Sequence, residues 1–366
     1  MARPKPVTHR ERGQIILLFA LASTLIILAV GLVIDGGYGL AQRRQSQNAS
    51  DFAALAGARV VAEWVSGDST NGTDGNVQAA ITNSIQANRG APVAFGAPNG
   101  PVYVTSAGVP NGFVGTINGG VIPTGTAGVR VSSSRSWKPY FLGVIGVGSW
   151  TASAVATAKG GYSLAGPPGN VFPVGVSQGT YGNFPLCEGK VGSSTDCNPV
   201  QLTPGSLNVP GGFGWLKFGA TGKCTGFGLG MDPNNGCDNS KPFLQSEIGP
   251  PGTANSNSYG CCTAVAPEPP AAAPANRIGS LPGNKASADC SYYIAHEITV
   301  VVPVWDVAGG QGANGWYHIV GFAGLQLTAC NGGKNIAGVL RQLILPGPTT
   351  TSPQPKGTAL GVQLVN

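Results

Sequence analysis

Ile15-Ile16-Leu17-Leu18-Phe19-Ala20-Leu21-Ala22-Ser23-Thr24-Leu25-Ile26-Ile27-Leu28-Ala29-Val30-Gly31-Leu32-Val33-Ile34 carries no charge, and Ser23 and Thr24 are its polar members. A helix rises ~1.5 Å per residue, so a run of about 20 residues crosses a hydrocarbon core of ~30 Å. One transmembrane helix is therefore expected over residues 15–34, with the rest of the chain divided between the two sides of a membrane. Arg3, Lys5, Arg10 and Arg12 precede the run, opposed by Glu11, while Asp35, Arg43 and Arg44 follow it. Positive charge close to a first span favours the cytoplasmic side. Residues 1–14 are thus expected as a cytoplasmic tail, in a single-pass protein of the cytoplasmic membrane with its N-terminus inside and its bulk extracytoplasmic. A cleaved secretory signal is the competing reading. Ala20-Leu21-Ala22 fits a small-x-small cut, but it lies inside an apolar run that continues to Ile34. A signal's apolar region is shorter and ends at its cut, so the length favours a retained anchor.

Outward from the anchor, composition sets the class. Charged residues make up 10% of the chain, against 58 Gly and 29 Pro. So much Gly and Pro argues for strands joined by many turns. The net charge of +6 is mildly basic, but no Lys/Arg cluster is interleaved with aromatics, so no nucleic-acid partner is expected. The cysteines are Cys187, Cys197, Cys224, Cys237, Cys261, Cys262, Cys290 and Cys330, all beyond residue 186. An even set confined to one region beyond a membrane span points to disulfides in an oxidising compartment. The adjacent Cys261 and Cys262 are expected to bond to different partners. No Cys-x-x-Cys pair occurs, and His296 and His318 are not spaced as zinc ligands, so neither metal nor cofactor is expected.

Asp35-Gly36-Gly37-Tyr38-Gly39 is expected to weaken or bend the helix at the membrane surface. Helical character resumes over residues 40–61, where Phe52, Leu55, Ala56 and Arg59 recur at steps of three and four among small Ala and Gly residues. Residues 66–75 read as a polar turn and 76–89 as a second helix, with a stripe of Val77, Ala80, Ile81, Ser84 and Ile85. Strands are expected at 102–104, 128–132 and 150–158, with an apolar piece of open type at 140–146. The Gly/Pro-rich residues 159–170 read as a boundary. Beyond it, strands are expected at 171–176, 214–218, 292–305, 316–327, 338–344 and 361–365. Pro303 should mark an edge or a bulge in an otherwise apolar core strand. Residues 268–274 and 346–355 read as stiff loops.

Three pieces together resemble a known family. Arg12-Gly13-Gln14 precedes the apolar run, Asp35-Gly36-Gly37 stands at its exit, and Arg43-Arg44-Gln45-Ser46-Gln47-Asn48-Ala49-Ser50-Asp51-Phe52-Ala53-Ala54-Leu55-Ala56-Gly57-Ala58 follows. The combination resembles the N-terminal region of TadE/TadG-like Flp pilus-assembly proteins of the Tad (tight adherence) system, over residues 12–61. Tyr140-Phe141-Leu142-Gly143-Val144-Ile145-Gly146 and the strand after it are also similar to these proteins. The resemblance implies a membrane-anchored, minor pseudopilin-like assembly subunit whose partners are membrane lipid and other pilus or assembly-machine subunits. It offers Gly13 and Gln14 as a possible processing site. Pilin-type subunits carry a Glu at the fifth mature position, and a cut after Gly13 would place Leu18 there, leaving an uncompensated amine near hydrocarbon. The residues thus argue against cleavage and against a major pilin. The Asp-x-Ser-x-Ser metal motif of some TadG-like proteins does not occur.

Catalytic patterns are present by chance composition. Gly175-Val176-Ser177-Gln178-Gly179 spells a nucleophile elbow, but an elbow needs a helix next, and Thr180-Tyr181-Gly182-Asn183-Phe184-Pro185 is not expected to form one. Gly310-Gln311-Gly312-Ala313-Asn314-Gly315 precedes a strand, as a hairpin loop does. His296 and His318 read as hydrogen-bonded structural histidines, Asp306 as a turn residue, and Trp215, Trp305 and Trp316 as packing residues. No catalytic site is expected. The fold class is α+β: an N-terminal transmembrane helix continuing into a pilin-like α+β domain (35–160), then a β-rich, disulfide-linked domain (161–366). The expected work is pilus assembly through lateral packing of residues 15–61, with Ala20, Ala22, Ser23, Ala29 and Gly31 permitting close approach in lipid. The alternatives are a surface-tethered adhesin or ligand-binding protein with no role in pilus building, and a tethered hydrolase.

Overall fold

The computed structural model describes residues 10–115, 121–164, 172, 174–181, 186–202, 212–216, 277–282, 290–309, 316–331, 335–354 and 358–365. Helix α1 runs from Arg10–Val65 without interruption. Thr24 Oγ1 donates to the Ala20 carbonyl at 2.8 Å, and Ser23 Oγ donates to the Phe19 carbonyl, so both polar side chains of the apolar run are satisfied inside the helix. The glycines Gly36, Gly37 and Gly39, expected to weaken or bend the helix, do not interrupt it. A mid-helix Gly costs about 1 kcal/mol relative to Ala, and tertiary packing overrides it here. Gly39 lies under two indoles: a Cβ there would sit 3.4 Å from Trp137 and 3.5 Å from Trp150.

Beyond Asp35, the residues α1 buries include a stripe at steps of three and four: Gln42, Ser46, Ala49, Ala53, Gly57 and Val61. This corrects the stripe read from sequence, because Phe52 is 55% exposed and Arg59 faces solvent. Helix α2 spans Asp74–Ala87 and begins two residues earlier than expected, because the Thr73 side chain accepts from the Asn76 amide and caps it. It buries Val77, Ile81 and Ile85 against α1.

The strands β1 (Val102–Val104), β2 (Pro110–Phe113), β3 (Gly128–Trp137) and β4 (Trp150–Ser163) follow, with a 3₁₀ turn at Leu142–Ile145 between the last two. Strands β3 and β4 are an antiparallel pair in continuous register from Gly128↔Lys159 to Trp137↔Trp150. Alternation assigns their faces: Val129, Val131, Ala156 and Ala158 point at α1, while Arg130, Ser132, Thr151 and Val155 point away. Strand β4 also runs five residues into the stretch read as a boundary.

The second sheet contains β5 (Val176–Ser177), β6 (Val200–Leu202), β7 (Gly212–Leu216), β8 (Arg277–Pro282), β9 (Thr299–Gly309), β10 (Trp316–Asn331) and β11 (Asn335–Arg341). Its main path is β5-β9-β10-β11-β6. One-turn helices α3 (Gln178–Tyr181) and α4 (Ser291–Ala295) flank it. Helix α4 takes the first residues of the strand expected over 292–305, and Glu297, at φ 52, breaks the chain before β9. Pro303 is not at an edge, since β9 lies between β5 and β10. It pairs with Phe322, one register step from a bulge between Ile319 and Gly321. Val300, Val302, Val304, Leu325, Leu327 and Phe172 build this core.

The chain then returns to the first sheet with β12 (Ile344–Pro346), β13 (Thr349–Thr350) and β14 (Leu360–Val365). Strand β14 pairs antiparallel with β4 from Leu360↔Tyr162 to Val365↔Thr157. Residues grouped by sequence with the Cys-rich region thus complete the sheet under α1, in the order β12-β14-β4-β3-β1-β2. The stretch 346–355, read as a loop, contributes β13. Disulfides join Cys187 to Cys197 and Cys290 to Cys330. Cys224, Cys237, Cys261, Cys262, residues 268–274 and the loop 310–315 lie outside the described residues.

Candidate functional site

Two features of α1 set what this protein can do: how it is seated on the sheet, and how it leaves the apolar run.

The seat is a seam of small residues. Ala49, Ala53, Ala54 and Ala58 are fully buried against β3 and β4. Backbone nearly touches backbone where Gly160 of β4 passes Ala58, and a Cβ there would fall 1.9 Å from the Ala58 carbonyl oxygen. Gly57 is under the same constraint, with a Cβ meeting Val129 Cγ2 at 2.8 Å. Polar contacts extend the seam toward the apolar run. Strand β14 pairs with β4 from Thr157 to Tyr162. Before that stretch α1 is tied to the face of β4: Ser46 Oγ donates to the Ala152 carbonyl at 3.1 Å. Ser50 Oγ lies 2.9 Å from the Ala154 carbonyl and 3.0 Å from that of Ser46. Arg135 donates to the Gln45 side chain beside them.

The exit is a clasp. Asp35, the first charge after the run, is buried, and its carboxylate accepts three backbone N–H groups of the β3–β4 connection. They are Tyr140 at 2.7 Å, Phe141 at 2.9 Å and Leu142 at 2.7 Å. Burial pushes this carboxyl up, but the three donors outweigh it and hold it below the usual carboxylate value. Four residues earlier, Phe141 packs on Gly31 so closely that a Cβ would stand 2.6 Å from the Phe141 Cβ. Tyr38 meets Trp137 and Tyr140 edge-on, with ring centroids 6.1 and 5.6 Å away, and Trp137 meets Trp150 at 6.3 Å. Below the clasp the apolar run is exposed all round except where Gly31 meets Phe141 and at the half-buried Ser23, and the helix is long and apolar enough to cross a membrane.

A buried acid supports the seam from the far side. Asp74 at the start of α2 accepts from Tyr103 Oη at 2.5 Å, the Gly115 amide at 3.0 Å and Gln78 Nε2 at 2.8 Å. Burial, then the Asp74 carboxylate, push the Tyr103 phenol well up. This network ties α2 and β1 to the connection after β2.

The catalytic patterns are placed as follows. A helix does follow Ser177, contrary to expectation, but it is one turn long. Ser177 is the lateral neighbour of Trp305. The Trp305 ring lies tilted against Tyr317, centroids 5.2 Å apart, whereas Asp306 and His318, their sequence neighbours, occupy the opposite face of the sheet. The Asp306–His318 contact, 2.6 Å, is therefore not brought to Ser177. Asp306 sits in β9 at a register shift rather than in a turn, and hydrogen-bonds the Val307 amide. His296 Nδ1 lies 2.9 Å from the Tyr292 carbonyl. Trp305 is buried. Gly13 is helical backbone, and the side chains of Gln14, Trp215 and Trp316 lie outside the described set.

Sequence reasoning gave Asp35, Ser46, Ser50 and Gly160 no contact of their own. Asp35 carried a signal: a lone acid directly after an uncharged run needs a partner close to lipid. Residues 13–60 match the family model described as Flp pilus-assembly TadE/G-like. That interval holds the apolar run, the helical side of the clasp and most of the seam. No curated protein matched the chain, and no solved structure did.

Proposed function

Taking the match of residues 13–60 to the TadE/G-like family as the premise, we propose that this chain is a minor pseudopilin-like assembly subunit of a Tad/Flp-type pilus or secretion system. It stands in the cytoplasmic membrane with residues 1–14 inside and the two sheets outside, and it acts as a scaffold without catalysis. The observation that carries this reading is where the match falls. Its first half is the exposed apolar run, open to lipid and to like helices through Ala20, Ala22 and Ala29; its second half is locked into the sheet by the alanine seam. Such a helix transmits a lateral contact made in the membrane directly to the outer body, because no joint separates the two. The pilin-like description fits this arrangement of a long helix laid on a mainly antiparallel sheet.

The test is made in the native host. Deleting the chain is expected to abolish surface filaments, with recovery on complementation. A photo-crosslinking amino acid at Leu21 or Leu25 is expected to trap other subunits of the machine. Normal filaments in the deletion strain would refute the assignment.

A further inference from the structure

We infer that the tip of the β3–β4 hairpin, residues 138–149, is a second membrane-contacting element, seated at the headgroup–acyl boundary of the leaflet from which α1 emerges. The inference rests on the membrane reading of residues 15–34 and is independent of any role in pilus assembly.

Position comes first. The tip is held against α1 at Gly31 by Phe141 and at Asp35 by three hydrogen bonds. Gly31 lies three residues inside the end of the apolar run, ~5 Å along the helix axis. The run has about the length a bilayer core requires and little to spare, so the level of Gly31 falls within the membrane boundary. Whatever medium surrounds residues 31–34 also surrounds the tip fixed beside them.

Chemistry agrees with that position. Tyr140 is 65% exposed and Val144 85%, both apolar surfaces presented outward at the foot of the body. Tyr38, Trp137, Tyr140 and Trp150 gather at one level, and Lys138 is exposed beside them. Trp and Tyr concentrate at membrane interfaces, where an apolar ring body and a polar tip are both satisfied, and a nearby Lys can reach the headgroups. Asp35, the anion at this level among the described residues, is buried under the tip and accepts three N–H groups there, so its carboxylate does not face lipid bare. Two contacts, helix and hairpin, would fix the tilt of the body against the membrane plane, which one helix alone leaves free.

The test uses the full chain in liposomes of phosphatidylcholine and phosphatidylglycerol. An environment-sensitive fluorescent amino acid replaces Val144 in one protein, Val109 in a second and Leu25 in a third. Val109 is a 57% exposed residue between β1 and β2, remote in sequence from the clasp. Lipids brominated near the headgroup are expected to quench the probe at 144 and leave the probe at 109 unquenched. Lipids brominated deep in the chain should quench the probe at 25 most. Quenching at 25 with none at 144 overturns the hairpin proposal and leaves the span intact. Quenching at neither overturns both. Protection of the probe at 144 in native membranes but not in liposomes would assign the tip to a protein partner and also overturn the proposal.

Discussion

Gly160→Ala probes the seam on which the coupling between anchor and body depends. The new methyl would fall 1.9 Å from the Ala58 carbonyl oxygen, 2.8 Å from its carbon and 3.1 Å from the Ala62 nitrogen. A carbon and an oxygen tolerate little less than ~3.2 Å, so helix and strand must separate by more than ~1 Å, within the close-packed interior where sub-ångström gaps already lose contact energy. Both sides of the clash are backbone, so no side-chain rotation relieves it. Overpacking of a rigid site costs about 1–3 kcal/mol, and this one belongs at the upper end. About 3 kcal/mol corresponds to a fall in Tm of roughly 6–12 °C for a body of this class. The assay is thermal unfolding of the detergent-solubilised full chain by near-ultraviolet circular dichroism. Gly148→Ala is the matched control: a Cβ there meets nothing within 4 Å, and its Tm should be unchanged. If Gly160→Ala melts with wild type, α1 does not lie on β4 at the described distance. The argument for a rigid link from membrane to body would then fail.

Asp35→Ala leaves the amides of Tyr140, Phe141 and Leu142 without their acceptor, so hydrogen exchange there should accelerate while β9 and β10 keep their protection. Because the Asp35 carboxyl is held below its ordinary value, the clasp is at full strength above about pH 4 and weakens as pH falls through the lowered value. Exchange at those three amides should therefore be flat in relative protection from pH 5 upward and lose protection in more acid solution. Tyr103→Phe removes one hydrogen bond to a buried carboxylate and should cost about 2 kcal/mol in denaturant unfolding, with no change in the m value. Non-reducing peptide mapping should recover Cys187 linked to Cys197 and Cys290 linked to Cys330. On loop-closure entropy, breaking the second, with a sequence separation of 40, should cost about 4 kcal/mol, and the first, with a separation of 10, about 3 kcal/mol. A larger loss at the shorter loop would show that the Arg341 contacts to the Cys187 and Gly189 carbonyls depend on it.

What could be read along the chain was whatever depends on neighbours in sequence. The uncharged run, the second helix, the alternation in β3 and β4 and the restriction of cysteines to one region are local patterns, and each names its element. The family resemblance over 12–61 is local in the same sense, and the match at 13–60 coincides with it. Tertiary structure decided which side of α1 is inside. Phe52 is the larger hydrophobe, yet it is exposed while Ala49, Ala53 and Ala58 are buried, because a glycine-bearing strand can approach only a face of small residues. It also joined β14 to β4 across some 200 residues, and it brought the Asp35 carboxylate to three amides more than a hundred positions away. Such contacts are selected by the complementarity of two distant surfaces. Neither surface carries, within its own residues, a record of its partner.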